Sequence, residues 1–378
     1  MRPRKCRACE VAPGVSGGRR SIRVLFDINH PAQAHFFKNV IHRLQREGHA
    51  VLVASRQKDV TTSVLDAAGI EHVRISTHRR GLAGMAVELL VRQARLLKLT
   101  ACFQADVLVA RGGVTIGLAG AILRIPRVVF DDTEHAKLER ALSLPLATCI
   151  CTGTGYLGDH GARQVRFRAF PVMAYLDPRY YRPDPEPLRR AGLDPDDPYI
   201  VMRTVAWRAA HDVGLRGSSP EALREAVQRL SAYGRVVISS EVPLPQALTP
   251  YRNPVPIEHM HDLLAFARLY IGQGGTMAEE AALLGTPAIF CSPLRTGFLL
   301  ALERQYELVY NTDSLAQGLG VAEQWLRRPD LRRAWEAKHR AVLQDSEDVV
   351  EFQARIIQKA GARRHRPRWL FTRRSAPL

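Results

Sequence analysis

Residues 272–290 read GQGGTMAEEAALLGTPAIF. Three glycines within four residues run into a helical stretch that carries two carboxylates, Glu279 and Glu280. Gly285-Thr286-Pro287 then breaks the helix, and an apolar run to Cys291 follows. The pattern predicts a strand, a glycine-rich turn, a helix and a second strand. A helix opening on Gly272, Gly274 and Gly275 lets the backbone approach a ligand closely. Its free N–H groups and dipole favour an anion such as phosphate.

The two glutamates separate on local grounds. Thr276 and Glu279 stand in capping-box spacing, which predicts a structural task for Glu279. Glu280 has no such task, and one turn from the phosphate-binding amides it is placed to accept both ribose hydroxyls. The plainer reading is favourable charge near a helix start. Spacing alone leaves both open.

Outward from this unit, apolar runs alternate with helical patterns. Strands are predicted at Ile22–Ile28, Ala50–Ala54, Glu71–Ile75, Ala105–Ala110, Arg127–Phe130 and Thr148–Cys151. A second series is predicted at Tyr199–Val205, Arg235–Ser240 and Leu269–Gly272. Helical stretches separate them, and Gly48 suits the position just past the first helix. Such alternation predicts parallel, doubly wound sheets. Seven prolines punctuate residues 171–198, which predicts a connection between two domains.

Several loops at predicted strand ends carry titratable groups. Asn29-His30-Pro31 follows the first strand, and His30 and His35 are candidate bases. The alternative there is a helix capped by Asn29 and started by Pro31. Arg111-Gly112-Gly113 is either a loop for close ligand approach or ordinary turn chemistry. Asp131, Asp132, Glu134, His135 and Lys137 fall within seven residues, a density suited to tuning a base; a solvated cap is the rival reading. His135 is the leading base candidate, with Asp132 and Glu134 as orienting or alternative bases. Arg203, Arg208 and His211, the last oriented by Asp212, are candidates for a diphosphate, against simple Arg–Asp pairing on a solvated loop. His259, His261 and Asp262 suit either a metal or the needs of a short helix.

Composition bounds the class. A chain of 378 residues with 46% apolar and 24% charged residues has the make-up of a soluble two-domain protein. No run approaches the roughly 18 apolar residues of a spanning helix, and no secretory signal is evident. Six cysteines make no disulfide framework, and Cys6-x-x-Cys9 lacks a second ligand pair for zinc. A cytoplasmic protein is expected. The net charge of +17 is concentrated at the ends: six basic residues against one acid in 1–20, and six arginines without an acid in 361–378. These read as disordered tails, either simply solvated or able to touch anionic lipid or RNA, with no specific nucleic-acid partner expected.

The run Gly274, Gly275, Thr276, Glu279-Glu280-Ala281 and Leu284-Gly285-Thr286-Pro287 resembles the donor motif of the GT-B superfamily. It is similar to that of UDP-GlcNAc 2-epimerases and of the peptidoglycan lipid-intermediate GlcNAc transferase. Those families often carry Ser just before the turn, where Gln273 stands here. The stretches NHPAQAHFFKN, FDDTEHAKLE, VMRTVAWRAAHDVG and HDLLAFARLYIGQGGTMAEEAALLGTPAI resemble an uncharacterised prokaryotic family of predicted GT-B-type glycosyltransferases.

The resemblance implies an α/β fold of two Rossmann-like domains facing across a cleft. The expected organisation is a basic tail at 1–21, an acceptor-side domain at 22–180 and a linker at 181–198. A donor domain at 199–345, a helix at 346–360 returning to the first domain and a basic tail at 361–378 complete it. It implies a metal-independent glycosyltransferase, or alternatively a non-hydrolysing UDP-sugar 2-epimerase. No cofactor is implied beyond the nucleotide-diphosphate sugar as substrate; the acceptor is open, lipid-linked or glycan. Glu280 takes the ribose role and Gly274, Gly275 and Thr276 the phosphate role. The remaining alternative is a non-catalytic nucleotide-sugar or RNA-binding protein.

Overall fold

The structure, a computed structural model, describes residues 21–57, 60–77, 81–132, 134, 137–205 and 219–363. Both basic tails and the Cys6–Cys9 pair lie outside the described residues. The chain divides into two compact units. The first holds residues up to Thr152, Gly158–Phe167 and everything from Asp348; the second holds Gly153–Leu157 and Arg168–Glu347. No helix among the described residues is long and apolar enough to cross a membrane.

The first unit runs β1 (Arg23–Ile28), α1 (Pro31–Arg46), β2 (Ala50–Gln57), α2 (Thr61–Ala67), β3 (His72–Thr77) and α3 (Leu82–Phe103). It continues with β4 (Val107–Arg111), α4 (Val114–Leu123), β5 (Arg127–Phe130), α5 (Lys137–Ser143), β6 (Cys149–Thr152) and β7 (Gln164–Arg166). The seven strands form one parallel sheet in the order 3-2-1-4-5-6-7. The order reverses beside β1, so β1 and β4 flank a switch point. Strands buried on both faces explain why β1 and β4 read as nearly continuous apolar runs. Phe36 and Phe37 on α1 meet Phe130 of β5 edge-on at 5.3 and 5.7 Å. Such pairs add about 0.5–1.5 kcal/mol each beyond area burial. Gly48, at φ 82°, ends α1 as its sequence position suggests.

The second unit runs α6 (Met173–Leu176), α7 (Glu186–Arg190), β8 (Tyr199–Thr204), α8 (Pro220–Leu230), β9 (Arg235–Ser240), α9 (Met260–Phe266) and β10 (Leu269–Gly272). Then come α10 (Gly275–Leu283), β11 (Ala288–Cys291), α11 (Gly297–Tyr306), β12 (Val309–Thr312), α12 (Leu315–Leu326) and α13 (Leu331–Asp345). Its five strands are parallel in the order 12-11-10-8-9, with the switch between β8 and β10. Buried aromatics keep their polar ends satisfied: Tyr199 donates to the Leu263 carbonyl at 2.7 Å and Trp335 to that of Leu308 at 3.1 Å.

The last helix, α14 (Val349–Arg363), packs on α1 of the first unit. There Gln353 donates to the Phe36 carbonyl at 3.2 Å, and Arg43 pairs with Glu351. The proline-rich segment 171–198 is not an extended connection. It packs inside the second unit as α6 and α7, with Tyr175 and Leu188 buried. Pro185 and Pro187 stand at the start of α7, where a missing N–H costs nothing.

Candidate functional site

In doubly wound sheets, ligands bind beyond the carboxyl ends of the strands at the switch point. In the second unit that place is the end of β8 and β10, where Arg203 pairs in register with Gly272. A methyl group on Gly272 would stand 2.4 Å from the Arg203 carbonyl oxygen, so only glycine fits. The Gln273 amide donates to that same carbonyl at 3.0 Å, and Tyr270 donates its hydroxyl to the Gly274 carbonyl at 2.9 Å. These bonds turn the chain out of β10 and into α10.

The cap of α10 is Gly274, which has no side chain to accept the helix's first amides. Thr276 is therefore the second helical residue, and the Thr276–Glu279 capping box expected from spacing is not formed. The first amides of the helix, at Gly275, Thr276 and Met277, have no acceptor within the helix by geometry. A Cβ on Gly275 would find its nearest neighbour at 3.6 Å, ordinary contact, and its φ is not positive. Neither the fold nor the backbone demands glycine there; a ligand approaching the amides would. Arg203 borders this turn: its Cγ lies 3.0 Å from where a Cβ of Gly274 would be. Its guanidinium donates to Ser239 Oγ at 2.8 Å and Glu241 Oε1 at 2.6 Å.

Glu280 is buried, 8% exposed. Its Oε1 accepts the Tyr175 hydroxyl at 2.8 Å and lies 3.2 Å from His261 Nε2. A carboxylate accepts only, so Nε2 carries the proton. His259 instead pairs with Asp262, its Nδ1 at 3.1 Å from Oδ2. The two histidines of the His-x-His-Asp run thus serve different carboxylates. Among the described residues no three His, Cys, Asp or Glu side chains are grouped to hold a metal. Tyr175 and His261 as partners of Glu280 were not legible in the sequence.

The first unit presents a second polar edge at its own switch point. His30, not Asn29, caps α1, its Nδ1 accepting the Ala32 amide at 3.3 Å. A neutral ring in that arrangement carries its proton on Nε2 and offers a donor there rather than a base. Asn29 gives its amide to Gln33, whose side chain bonds the Arg111 carbonyl. Asp132 is held by Arg111 through both oxygens, with Nε–Oδ1 at 2.9 Å. Asp131 pairs with Arg140 at 3.2 Å, and Arg140 also holds the Glu134 carbonyl at 2.9 Å. His160, which sequence reading passed over, lies 3.9 Å from Asp131. Burial lowers its pKa despite that carboxylate, so it is neutral at pH 7 and able to accept a proton. Its signal in the sequence was a lone histidine in the loop between β6 and β7. His135, Arg208, His211 and Asp212 lie outside the described residues. His35 falls on α1 itself, half-buried on the helix face.

Cavities at the opposite, amino ends of the second sheet, such as that lined by Leu284–Pro287 and His339, contain none of these groups.

Two parallel sheets, each with a switch point edged by polar groups, place the chain among α/β proteins of two Rossmann-like domains. Solved structures of GT-B type share that fold. A UDP-GlcNAc 2-epimerase from Methanocaldococcus jannaschii matches with a TM-score of 0.65 at 12% identity, covering 89% of this chain and 100% of that one. The spinosyn forosaminyltransferase SpnP matches with a TM-score of 0.62 at 15% identity, covering 89% and 100%. By sequence, the chain belongs to the family described as "Protein of unknown function (DUF354)", matched over residues 22–315. An uncharacterized protein of Methanocaldococcus jannaschii is 25% identical over 324 residues, 80% of this chain and 94% of that protein.

Proposed function

We propose that this chain is an enzyme that binds a nucleotide-diphosphate sugar in its second unit and transfers the sugar to an acceptor hydroxyl. The observation that carries the reading is α10: an N-terminus without a side-chain cap at a switch point, Arg203 beside it, and a buried carboxylate, Glu280, in its second turn. Amides and guanidinium suit the diphosphate, whose negative charge grows as the sugar–oxygen bond breaks. Glu280 suits the ribose hydroxyls. In this reading these groups take the place of a metal, with Arg208 and His211 as further diphosphate candidates. The acceptor's proton goes to a first-unit base; His135, Asp132, Glu134 and His160 are the candidates, His30 being spent on the α1 cap. His160 has the protonation state for the task, whereas Asp132 is engaged by Arg111.

The test is a binding titration with UDP. Glu280→Ala should weaken it by about tenfold or more, the worth of hydrogen bonds to a charged group. Unchanged affinity in a folded variant would remove the nucleotide assignment.

A second reading, sugar-nucleotide 2-epimerisation, is favoured by the fold shared with UDP-GlcNAc 2-epimerases. There the diphosphate leaves, the configuration at C2 inverts and the diphosphate returns. Incubation with UDP-GlcNAc and no acceptor separates the two: UDP-ManNAc forms only by epimerisation. The basic tails and a lipid-linked acceptor belong to the transferase reading, in which the enzyme works at a cytoplasmic membrane surface.

A further inference from the structure

The wall around Glu280 is more elaborate than holding one carboxylate requires. Tyr175, from the short helix α6, and His261, from α9, both direct donors at the same oxygen, Oε1. The three residues are far apart in sequence, so their meeting is a product of the fold. The His261 ring lies against Tyr175 at 5.4 Å and edge-on to Tyr181 at 6.0 Å. Tyr181 in turn donates to Asp262, which also accepts the Asp184 amide at 3.0 Å and faces His259 at 3.1 Å. The segment 175–184 is thereby tied to α9 at several points, and the imidazole is fixed between two aromatic rings.

Two donors on one oxygen fix the plane of a carboxylate, and with it the position of the other oxygen. Both groups act as donors toward that oxygen, so the carboxylate is met as an acceptor. We propose that Tyr175 and His261 are positioning residues that set the Glu280 carboxylate for a ribose diol, and that they make the site selective for ribonucleotides over 2′-deoxyribonucleotides. The proposal rests on the nucleotide reading given above. Its physical content is preorganisation: a carboxylate already held in its bound geometry loses little freedom when the ribose arrives. A 2′-deoxyribose offers one donor fewer to that acceptor. The loss is felt most when the carboxylate is rigidly aimed, because a free side chain would re-aim at the remaining hydroxyl.

The experiment is a calorimetric comparison of UDP, GDP, CDP and ADP with their 2′-deoxy counterparts on the full chain. Wild type, Tyr175→Phe, His261→Ala, His261→Gln and Glu280→Ala are compared, each checked for folding by thermal melt. The wild type should prefer the ribonucleotide by roughly tenfold, the scale of one hydrogen bond to a charged acceptor. Tyr175→Phe and His261→Ala should each cut that preference several-fold, mostly by weakening the ribonucleotide. His261→Gln, which keeps an N–H at about the same reach, should restore it; a purely packing role for His261 would show no such rescue. If Glu280→Ala abolishes the preference while Tyr175→Phe and His261→Ala keep it, the positioning role is overturned and the nucleotide reading stands. If no diphosphate binds, or Glu280→Ala changes nothing, both fall.

Discussion

Gly272 and Arg203 face each other across β10 and β8, and the space between them admits no side chain: a Cβ on Gly272 would press to 2.4 Å from the Arg203 carbonyl oxygen. The same arginine then lays its side chain along Gly274. One residue thus supplies both the backbone that turns the chain and the charge that borders α10.

Two glycines of the turn should therefore respond differently to alanine. Gly272→Ala pushes two central strands apart and should cost about 1–3 kcal/mol, the range for overpacking. Gly275→Ala meets only side chains at 3.6 Å and adds a better helix former, so its melting temperature should hold or rise slightly. Its methyl group would nevertheless sit among the first amides of α10 and should weaken UDP binding several-fold. Paired melts and titrations decide: a Gly275→Ala protein that binds UDP as wild type does would exclude phosphate from that helix end.

Arg203 is engaged by Glu241, itself about half exposed. An incoming diphosphate would compete with that carboxylate for the guanidinium. Arg203→Met should weaken UDP about tenfold while leaving uridine unaffected, since a charged hydrogen bond to phosphate is lost. Glu241→Gln, which frees the arginine, should tighten UDP. Opposite shifts in the two titrations check the idea; parallel shifts would mean that Arg203 acts only on the fold.

The alternation of apolar runs and helical patterns disclosed the α/β class because buried parallel strands have little choice of composition. Short or edge elements escaped for the same reason. β7 is Gln-Val-Arg and β12 is Val-Tyr-Asn-Thr with Tyr310 exposed, so neither carries an apolar run. The prolines of 171–198 look alike in an open connection and in the first turns of short helices; only packing separates the two. The α10 motif was legible through its glycines, but its start was misplaced by two residues, which turned Thr276 into a false cap. What surrounds Glu280 was beyond reach, because Tyr175 stands 105 residues away in the chain. At the other sheet, local spacing showed a cluster of charges at 131–137. The ion pairs that engage Asp131 and Asp132 come from Arg140 and Arg111, on other elements.

Asp27 at the end of β1 is fully buried, with Arg92 of α3 and Thr115 of α4 as its partners. Breaking a buried pair leaves an uncompensated charge, so Asp27→Ala should destabilise by about 3–5 kcal/mol. Replacing both ions, Asp27→Leu with Arg92→Met, should cost clearly less than the single change. Urea unfolding of the three proteins measures this. A double variant as damaged as the single one would show that the pair, not the avoided lone charge, stabilises the first unit.

His339 on α13 gives the second unit an acid sensitivity with a definite sign. Burial lowers its pKa below the usual value of about 6.5, although the Leu283 carbonyl and Asp177 pull the other way. The unfolded chain therefore takes up a proton near pH 6.5 that the folded chain resists. Stability is full above that pH and declines as the pH falls toward the lowered folded value, by at most about 1.4 kcal/mol per pH unit for one group. His160 shifts in the same direction in the first unit. His339→Gln should thus flatten part of the fall in melting temperature between pH 6.5 and 5, and adding His160→Gln should flatten more. Were melting curves of wild type and His339→Gln to run parallel through that window, the buried imidazole would not be the group that titrates.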